Sequence, residues 1–254
     1  MAGAEPTLQI AGAVATVTLR RPVVANRLEL EDLARLQQFL QQVDDDASLR
    51  VLLLRGEGRH FCSGFNVERV GADGAAAGPR FEALADALEQ ARPVTVLQLQ
   101  GGAYGGAVDL ALAADFRIGG PASELRVPAA RLGLHFYRGG LERAVARIGL
   151  PWARRLFVAA DTLDATTLHG AGLLDRLADS SEAVEATATG FCEQLAGLAP
   201  LALLGMKKHL NRIARGRLDA QDLARDIAAA DASADLQEGA RAWREKRPPR
   251  FEGR

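Results

Sequence analysis

Short apolar runs constrain the fold of this chain more than any other feature. Residues 51–54 are one valine and three leucines, and residues 94–99 form a second, mostly apolar run. Runs of this length are typical of strands buried on both faces, as in a parallel sheet covered by helices. In residues 28–43 the apolar side chains recur at spacings of three and four, which indicates an amphipathic helix. We therefore expect an α/β fold with crossover connections.

The alternation of strands and helices extends to about residue 140, after which the sequence is almost entirely helical in pattern. The earlier part is predicted to contain a hairpin, two further helices and another strand, over residues 8–19, 80–91, 105–114 and 116–118. Residues 141–171 and 182–246 are predicted to be helical. The small residues at 71–79 indicate a surface loop, either a plain linker or a loop that covers a site.

Charge and cysteine content exclude several classes of protein. The chain has 254 residues and a formal net charge of −1, which gives no general attraction to nucleic acid or anionic lipid. No apolar run approaches the roughly 20 residues of a membrane span, and residues 1–7 lack the pattern of a signal peptide. Cys62 and Cys192 are far apart in sequence, so neither a disulfide framework nor a zinc site is indicated. We expect a cytoplasmic protein without metal, nucleic-acid or membrane partners.

Two glycine-rich turns follow the two apolar runs. The first glycine-rich segment occupies residues 56–67. The second occupies residues 100–110 and runs into the helix predicted at residues 105–114. Glycines between a strand and a helix let the backbone turn sharply, and the helix start leaves amide N–H groups unpaired. Such groups, together with the helix dipole, favour negative charge. The two turns are therefore the best candidates for a functional site.

Four motifs in order along the chain point to a known family. They are Arg-Pro with a following asparagine and leucine at 21–28, Phe-Cys-Ser-Gly-Phe-Asn at 61–66, the glycine run with an acidic residue at 100–111, and Glu-Gly to Arg-Pro at 238–248. Together they resemble the crotonase, or enoyl-CoA hydratase/isomerase, superfamily over nearly the whole chain. The resemblance implies a core of repeated ββα turns in a spiral over residues 1–195 and a helical trimerisation region over residues 196–254. It also implies a homotrimer or a dimer of trimers.

The resemblance implies an acyl-CoA substrate and no cofactor beyond the coenzyme A of that thioester. Carried onto this sequence, the backbone amides of Phe65 and Gly106 would hold the thioester oxygen while an enolate forms. One such donor typically lowers the barrier by about 3 to 4 kcal/mol. Asp109 lies three residues beyond Gly106, one helical turn along the same face, where a general acid or base is needed.

The pattern of the family is not complete in the acid–base residues. Hydratases of the family use two carboxylates, and the position of the second one is Ala129 in this chain, so ordinary hydration is in doubt. His135 and Tyr137 lie a few residues further on. In the dienoyl-CoA isomerase branch an acid aligns with Tyr137, and in the methylmalonyl-CoA decarboxylase branch a tyrosine falls near this point. The two residues either assist catalysis or line a pocket wall or the trimer contact.

The coenzyme A contacts implied by the resemblance are matched only in part. Val23 stands where the family often has a lysine for phosphate, whereas Arg59 matches another basic position. The carbonyl of Ser63 matches the adenine contact. Trp243 and Lys246 match tail residues that reach the nucleotide of a neighbouring subunit.

The sequence therefore predicts an enzyme that hydrates an enoyl-CoA or shifts its double bond, with Asp109 as the acid and base. A decarboxylase of a malonyl-type thioester is the first alternative, since it needs an oxyanion hole and little acid–base equipment. Hydrolysis of a carbon–carbon bond in a cyclic diketone is another. A non-catalytic binding protein with the crotonase fold is the alternative from a different functional class.

Overall fold

The computed structural model describes residues 4–66 and 70–254, and for residues 70–76 it describes the backbone alone. The strands alternate with helices in the first half of the chain and become short and rare in the second half. In chain order the strands are β1 Ala4–Ala11, β2 Val14–Arg20, β3 Val51–Gly56, β4 Val94–Leu99, β5 Gly102–Tyr104, β6 Phe116–Gly119, β7 Glu124–Arg126, β8 Thr162–Asp164 and β9 Arg176–Leu177. The helices are α1 Leu30–Asp45, α2 Val70–Gln90, α3 Gly106–Ala113, α4 Arg138–Phe157, α5 Ala165–Gly170, α6 Ala183–Ala196, α7 Pro200–Ala214, α8 Ala220–Asp231 and α9 Ala234–Glu245.

The main sheet has the strand order β1-β2-β3-β4-β6-β9. β1 and β2 form the predicted antiparallel hairpin, and β2, β3, β4, β6 and β9 pair in parallel. Parallel neighbours need crossover connections, which α1 supplies between β2 and β3 and α2 supplies between β3 and β4. The predicted α/β architecture is thus confirmed.

The central strands are buried on both faces, as their apolar runs predict. Leu52 and Leu54 of β3 belong to the main core with α1, α2 and α3, whereas Val51 and Leu53 pack into a second core against α6. Successive side chains of a strand point to opposite faces, so a strand covered by helices on both sides is mostly apolar along its length, although β4 also buries Thr95 and Gln98. Alternate residues of β3 therefore contribute to two cores on opposite faces of the sheet.

A second, smaller sheet supports the candidate site. Its strand order is β5-β7-β8, with β5 and β7 parallel and β7 and β8 antiparallel. These strands have only three residues each and no apolar run, so their sequence pattern did not predict them. A bridge between Cys62 and Ala103 joins the first glycine turn to β5.

The expectation of a loop at residues 71–79 is wrong. These residues lie within α2, which runs continuously from Val70 to Gln90 and contains Pro79 in its interior. Glycine and proline are strong local signals of a break, yet the intervening alanines favour a helix. Packing of α2 against α1 and α3 stabilises a helix that its local sequence alone leaves ambiguous.

The predicted helical character beyond residue 140 is confirmed for most of the chain, but β8 at Thr162–Asp164 interrupts the stretch predicted as helical over residues 141–171. α7 packs on α8, and α8 packs on α9, so the last three helices form a contiguous unit. Among the described residues, no helix combines the length and the apolar character required to cross a lipid bilayer.

Candidate active site

A buried asparagine holds the first glycine turn. Asn26 is 1% exposed, and its side-chain amide donates hydrogen bonds to the backbone oxygens of Glu57, His60 and Phe61 at 2.9, 2.9 and 3.1 Å. Its side-chain oxygen accepts a hydrogen bond from the amide of Arg21 at 2.8 Å. One side chain thereby ties the Arg-Pro motif to the turn that follows β3. The hydrogen bonds of Asn26 therefore explain why the Arg-Pro motif and the first glycine turn lie next to each other in the fold.

The two glycine turns are packed directly against each other. The amide of Phe61 donates to the oxygen of Gly102 at 3.1 Å, and the amide of Tyr104 donates to the oxygen of Cys62 at 3.0 Å. Between them Gly64 has φ of +83°, and a Cβ atom added there would lie 2.5 Å from the oxygen of Tyr104. That atom would also lie 3.4 Å from the nitrogen of Gly106. Position 64 therefore admits only glycine if the two turns keep this contact.

Two backbone amides at the ends of these turns have no internal acceptor. Within the described part of the chain, neither the amide of Phe65 nor that of Gly106 donates a hydrogen bond. Gly106 is the first residue of α3, and Gly105 before it supplies no side-chain cap. The amide of Gly106 is one of the four donors that a helix start leaves unpaired, and the helix dipole adds partial positive charge there. The Phe65 and Gly106 amides are thus available for an anionic ligand atom.

Asp109 lies one turn into α3 and is completely buried. Arg143 of α4 donates two hydrogen bonds to the Asp109 carboxylate. Its Nε donates to Oδ1 at 2.7 Å, and its Nη2 donates to Oδ2 at 2.6 Å. Both side chains are 0% exposed. Burial raises the pKa of the Asp109 carboxyl, and the Arg143 guanidinium opposes that rise. The candidate acid–base group is therefore one half of a buried bidentate ion pair.

Arg143 was not identified from the sequence, although three carboxylates of the described chain lie within ion-pair distance of its guanidinium. Its remaining nitrogen, Nη1, lies 2.5 Å from Asp86 and 3.6 Å from Glu89, both on α2. Although burial acts against its charge, the carboxylates raise the pKa of the Arg143 guanidinium. The signal available in the sequence was an arginine at the core-facing position of a helix, next to a buried alanine at 144. Such a residue is almost never fully buried unless it is paired.

The Tyr137 hydroxyl lies beside the Asp109 carboxylate. Its hydroxyl oxygen is buried and interacts with the Asp109 carboxylate, but it makes no hydrogen bond of regular geometry among the described residues. Burial first, and the charge of Asp109 second, raise the pKa of the Tyr137 hydroxyl far above its ordinary value. The hydroxyl therefore stays protonated at any physiological pH and can act only as a hydrogen-bond donor or acceptor in the resting enzyme.

The structure does not bring His135 to this cluster. His135 is exposed, and its Nδ1 lies 2.7 Å from the backbone oxygen of Phe136. Ala129 begins a short 3₁₀ helix and packs on the main core. The preceding strand reaches the second glycine turn, because the amide of Gly105 donates to the oxygen of Arg126 at 3.0 Å. The segment that would carry a second acid therefore runs beside the site, and at position 129 it carries a methyl group.

The residues matched to coenzyme A contacts fall into two groups. Ser63 lies in the first turn, where its amide donates to the oxygen of Ala25 at 2.7 Å, and Arg59 lies exposed a few residues earlier. Trp243 is 87% exposed near the end of α9, and Lys246 caps that helix in a left-handed conformation. Among the described residues no hydrogen bond, ion pair or ring contact joins this second pair to the glycine turns within one chain.

Comparison with known proteins identifies the family. The model of the family described as enoyl-CoA hydratase/isomerase matches residues 9–254. An enoyl-CoA isomerase/hydratase of Mycosarcoma maydis is 32% identical, covering 94% of this chain and 92% of its own. A 1,2-epoxyphenylacetyl-CoA isomerase of Escherichia coli K12 is 30% identical and covers 95% of both chains. A crystal structure of an enoyl-CoA hydratase from Bacillus anthracis matches with a TM-score of 0.91 at 25% identity, over 99% of this chain and 100% of that one.

These matches agree with the four motifs and with the mixed sheets and many helices of the structure, so the resemblance seen in the sequence is confirmed. The chain is an enzyme with a crotonase-like α/β fold, and it belongs to the enoyl-CoA hydratase/isomerase family.

Proposed function

We propose that this enzyme shifts the double bond of an enoyl-CoA through a thioester enolate. The thioester oxygen would sit between the amides of Phe65 and Gly106, neither of which donates a hydrogen bond within the described chain. Removal of a proton from the α-carbon sends the electrons of the C–H bond into the enolate, so negative charge builds up on that oxygen. Preorganised donors at this point are typically worth about 10²- to 10³-fold in rate each. These two free amides are the observation that carries the proposal.

Asp109 is the proposed acid and base. It takes the α-proton and returns it to the γ-carbon of the dienolate, so a single carboxyl group completes the isomerisation without net gain or loss of a proton. Asp109 is one helical turn from Gly106, which supports its action next to the thioester oxygen. The Escherichia coli relative is a 1,2-epoxyphenylacetyl-CoA isomerase, which supports isomerisation of an acyl-CoA as the general class of reaction.

Isomerisation is favoured over hydration because of position 129. Hydration requires a water molecule to be activated by one group while another delivers a proton. The segment beside the second glycine turn offers Ala129 at the place of the second acid, and an alanine methyl group cannot titrate. A one-base proton shift needs no second group. Tyr137 and His135 remain proposed auxiliary residues, and the contact with Asp109 supports Tyr137 more strongly.

We further propose that coenzyme A binds along Arg59 and the carbonyl of Ser63 and that Trp243 and Lys246 complete its site from a neighbouring subunit. The last three helices support association of subunits in a trimer, because they expose large apolar side chains in the single chain. Exposed apolar surface of this extent is typical of an interface. These side chains are Met206, Leu210, Ile213, Ile227, Leu236 and Trp243.

The test is hydrogen exchange on a panel of saturated, 2-enoyl and 3-enoyl thioesters of coenzyme A in deuterium oxide. Mass spectrometry locates deuterium at the α- and γ-carbons, and absorbance follows conversion between the two enoyl isomers. We expect exchange at both carbons of an enoyl-CoA and conversion of one isomer into the other. Absence of both α-exchange and isomer conversion for every thioester in the panel would refute the proposed function. Exchange at the α-carbon alone would refute the double-bond shift.

A further inference from the structure

We propose that Arg143 is a positioning residue that holds Asp109 as a rigid, ionised carboxylate one helical turn from the Gly106 amide. The inference rests on the proposed function, since it assigns to Arg143 the task of keeping the acid–base group of that reaction in its basic form. Within the described chain, Arg143 makes no hydrogen bond with Phe65 or Gly106, the two residues whose amides would hold the thioester oxygen.

The geometry of the pair is the first argument. Two parallel hydrogen bonds of 2.7 and 2.6 Å fix both oxygens of Asp109 in the plane of the Arg143 guanidinium. A carboxylate has about four lone-pair sites, so each oxygen keeps one free after accepting its bond from arginine. The pair therefore removes the rotational freedom of the Asp109 side chain without using up its capacity to accept a proton.

The burial of the pair is the second argument. A carboxyl group at 0% exposure would prefer to be neutral, because a low dielectric surrounding penalises its charge. A neutral carboxylic acid cannot act as a base. Arginine stays protonated in proteins, so a buried guanidinium in direct contact requires an anion beside it. Arg143 thus supplies the fixed positive charge that keeps Asp109 ionised.

The third argument is that Arg143 has other anionic partners. When Asp109 takes the substrate proton it becomes neutral, and an arginine with a single partner would then be left as an uncompensated buried charge. Here Nη1 keeps Asp86 at 2.5 Å and Glu89 at 3.6 Å. These α2 carboxylates allow Asp109 to alternate between its charged and neutral forms.

The other charged groups around Asp109 have partners of their own. Tyr137, at the start of α4, faces Asp109 and stays protonated because burial and that carboxylate raise its pKa. From α2, Glu82 accepts a hydrogen bond from the Gly139 amide at 2.6 Å. Arg215, directly after α7, pairs with Glu89 at 2.8 Å. Arg147, one turn further along α4, lies 3.9 Å from Glu89 and its side chain donates to Asn211 at 3.2 Å. Among the described residues, Arg143 is therefore the cation that acts directly on Asp109.

Gly139 allows the start of α4 to approach α2 closely, because it has no Cβ atom. A Cβ atom there would lie 2.8 Å from Oε1 of Glu82 and 3.3 Å from Nη2 of Arg143. The glycine leaves room for the start of α4 to press against the carboxylates of α2. This approach brings Arg143 within reach of Asp86 and Asp109 at the same time.

The experiment measures the titration of Asp109 and the pH dependence of exchange in the same set of proteins. The enzyme is labelled with carbon-13 at the aspartate carboxyl carbons, and the signal missing in Asp109→Asn identifies Asp109. Native enzyme is compared with Arg143→Gln, which removes the charge, with Arg143→Lys, which keeps the charge but not the two parallel bonds, and with Arg147→Gln. The last variant is the matched control, because it removes an arginine one turn further along α4.

We expect the Asp109 signal of the native enzyme to be that of a carboxylate at pH 7. In Arg143→Gln the midpoint pH of the Asp109 titration should rise by at least about one pH unit, because an adjacent opposite charge typically lowers a carboxyl pKa by that much or more. The acid limb of the pH profile of α-exchange should move to higher pH by the same amount. At pH values below the limb this displacement corresponds to a loss of at least about tenfold in exchange rate. Arg143→Lys should lie between the native enzyme and Arg143→Gln, and Arg147→Gln should match the native enzyme.

A protonated Asp109 at pH 7 in the native enzyme would overturn the inference. The inference would also be overturned if Arg143→Gln exchanged the α-hydrogen more slowly while the acid limb of its pH profile stayed at the native pH. That result would be expected of an arginine with only a structural role. If Arg143→Gln does not fold, the native titration and the Arg143→Lys variant decide. The proposed function fails separately: a native enzyme that neither exchanges an α-hydrogen nor converts one enoyl isomer into the other would refute it, whatever the carboxyl titration shows.

Discussion

Replacing Gly64 by alanine tests the contact between the two glycine turns on which the proposed site depends. Gly64 has φ of +83°, and an added Cβ atom would lie 2.5 Å from the backbone oxygen of Tyr104. That oxygen belongs to a short strand of the second sheet and cannot rotate away as a side chain can. The same atom would lie 3.4 Å from the Gly106 nitrogen, so relief of the clash must separate the turn of Phe65 from the start of α3.

The expected cost has two parts. A left-handed backbone conformation costs a residue other than glycine roughly 1 to 2 kcal/mol. A steric clash in a well-packed region typically costs about 1 to 3 kcal/mol more. We therefore expect Gly64→Ala to lower the free energy of unfolding by about 2 to 5 kcal/mol. Displacement of one of the two amides should lower the rate of α-exchange by about 10²- to 10³-fold in the molecules that remain folded.

Gly12 provides the matched control. It also has a positive φ, +58°, in the turn between β1 and β2, but an added Cβ atom would meet nothing within 4 Å. Gly12→Ala should therefore show the backbone cost of roughly 1 to 2 kcal/mol without the steric part and should exchange like the native enzyme. Both variants are compared by denaturant unfolding and by deuterium exchange below the unfolding transition. Equal stability and equal exchange in the two variants would refute the reasoning about the packed turns.

Three further predictions concern the acid–base group, the reaction and the assembly. Asp109→Asn should slow α-exchange by about 10²- to 10⁴-fold. Because the substitution leaves Arg143 with one buried anionic partner fewer, it should also lower the free energy of unfolding by about 3 kcal/mol, and a variant as stable and as active as the native enzyme would contradict both effects. The native enzyme should hydrate crotonyl-CoA more slowly than a relative that has two catalytic glutamates, and Ala129→Glu should raise the hydration rate if the variant folds. A native rate equal to that of the relative would show that one carboxyl group suffices. Light scattering should find a trimer or a dimer of trimers, and Trp243→Ala should weaken binding of coenzyme A measured by calorimetry; a stable monomer at micromolar concentration would contradict the proposed assembly.

The structure changes the meaning of the Asp109→Asn experiment. From the sequence alone, asparagine is a shape-preserving replacement that removes only the proton-carrying function. In the structure, Asp109 is also the main anionic partner of a fully buried arginine. Removing one partner of a buried pair is destabilising even though Asp86 and Glu89 still face Arg143, so activity and stability must be measured together.

Much of the fold was determined by local pattern. The runs at β3 and β4 and the helical period of α1 predicted elements that the structure contains at nearly the same residues. They could be predicted because burial on one face or on two faces imposes a period on the sequence, and that period is visible without knowledge of the neighbours. The two glycine turns were visible for a similar reason, since a sharp turn between a strand and a helix requires residues without a Cβ atom.

Other features were decided only by tertiary structure. The helical state of residues 71–79 was not indicated by their local sequence, and the three-residue strands β5, β7 and β8 depend on pairing with one another. Arg143 and Asp109 are 34 residues apart and on different helices, so no local spacing links them. Their pairing follows from the close approach of α3 and α4 with α2 alongside, where burial makes each charge require the other. The sequence alone indicated where an acid–base group could stand, and the packing of three helices decided which cation faces Asp109 and how its carboxyl group is oriented.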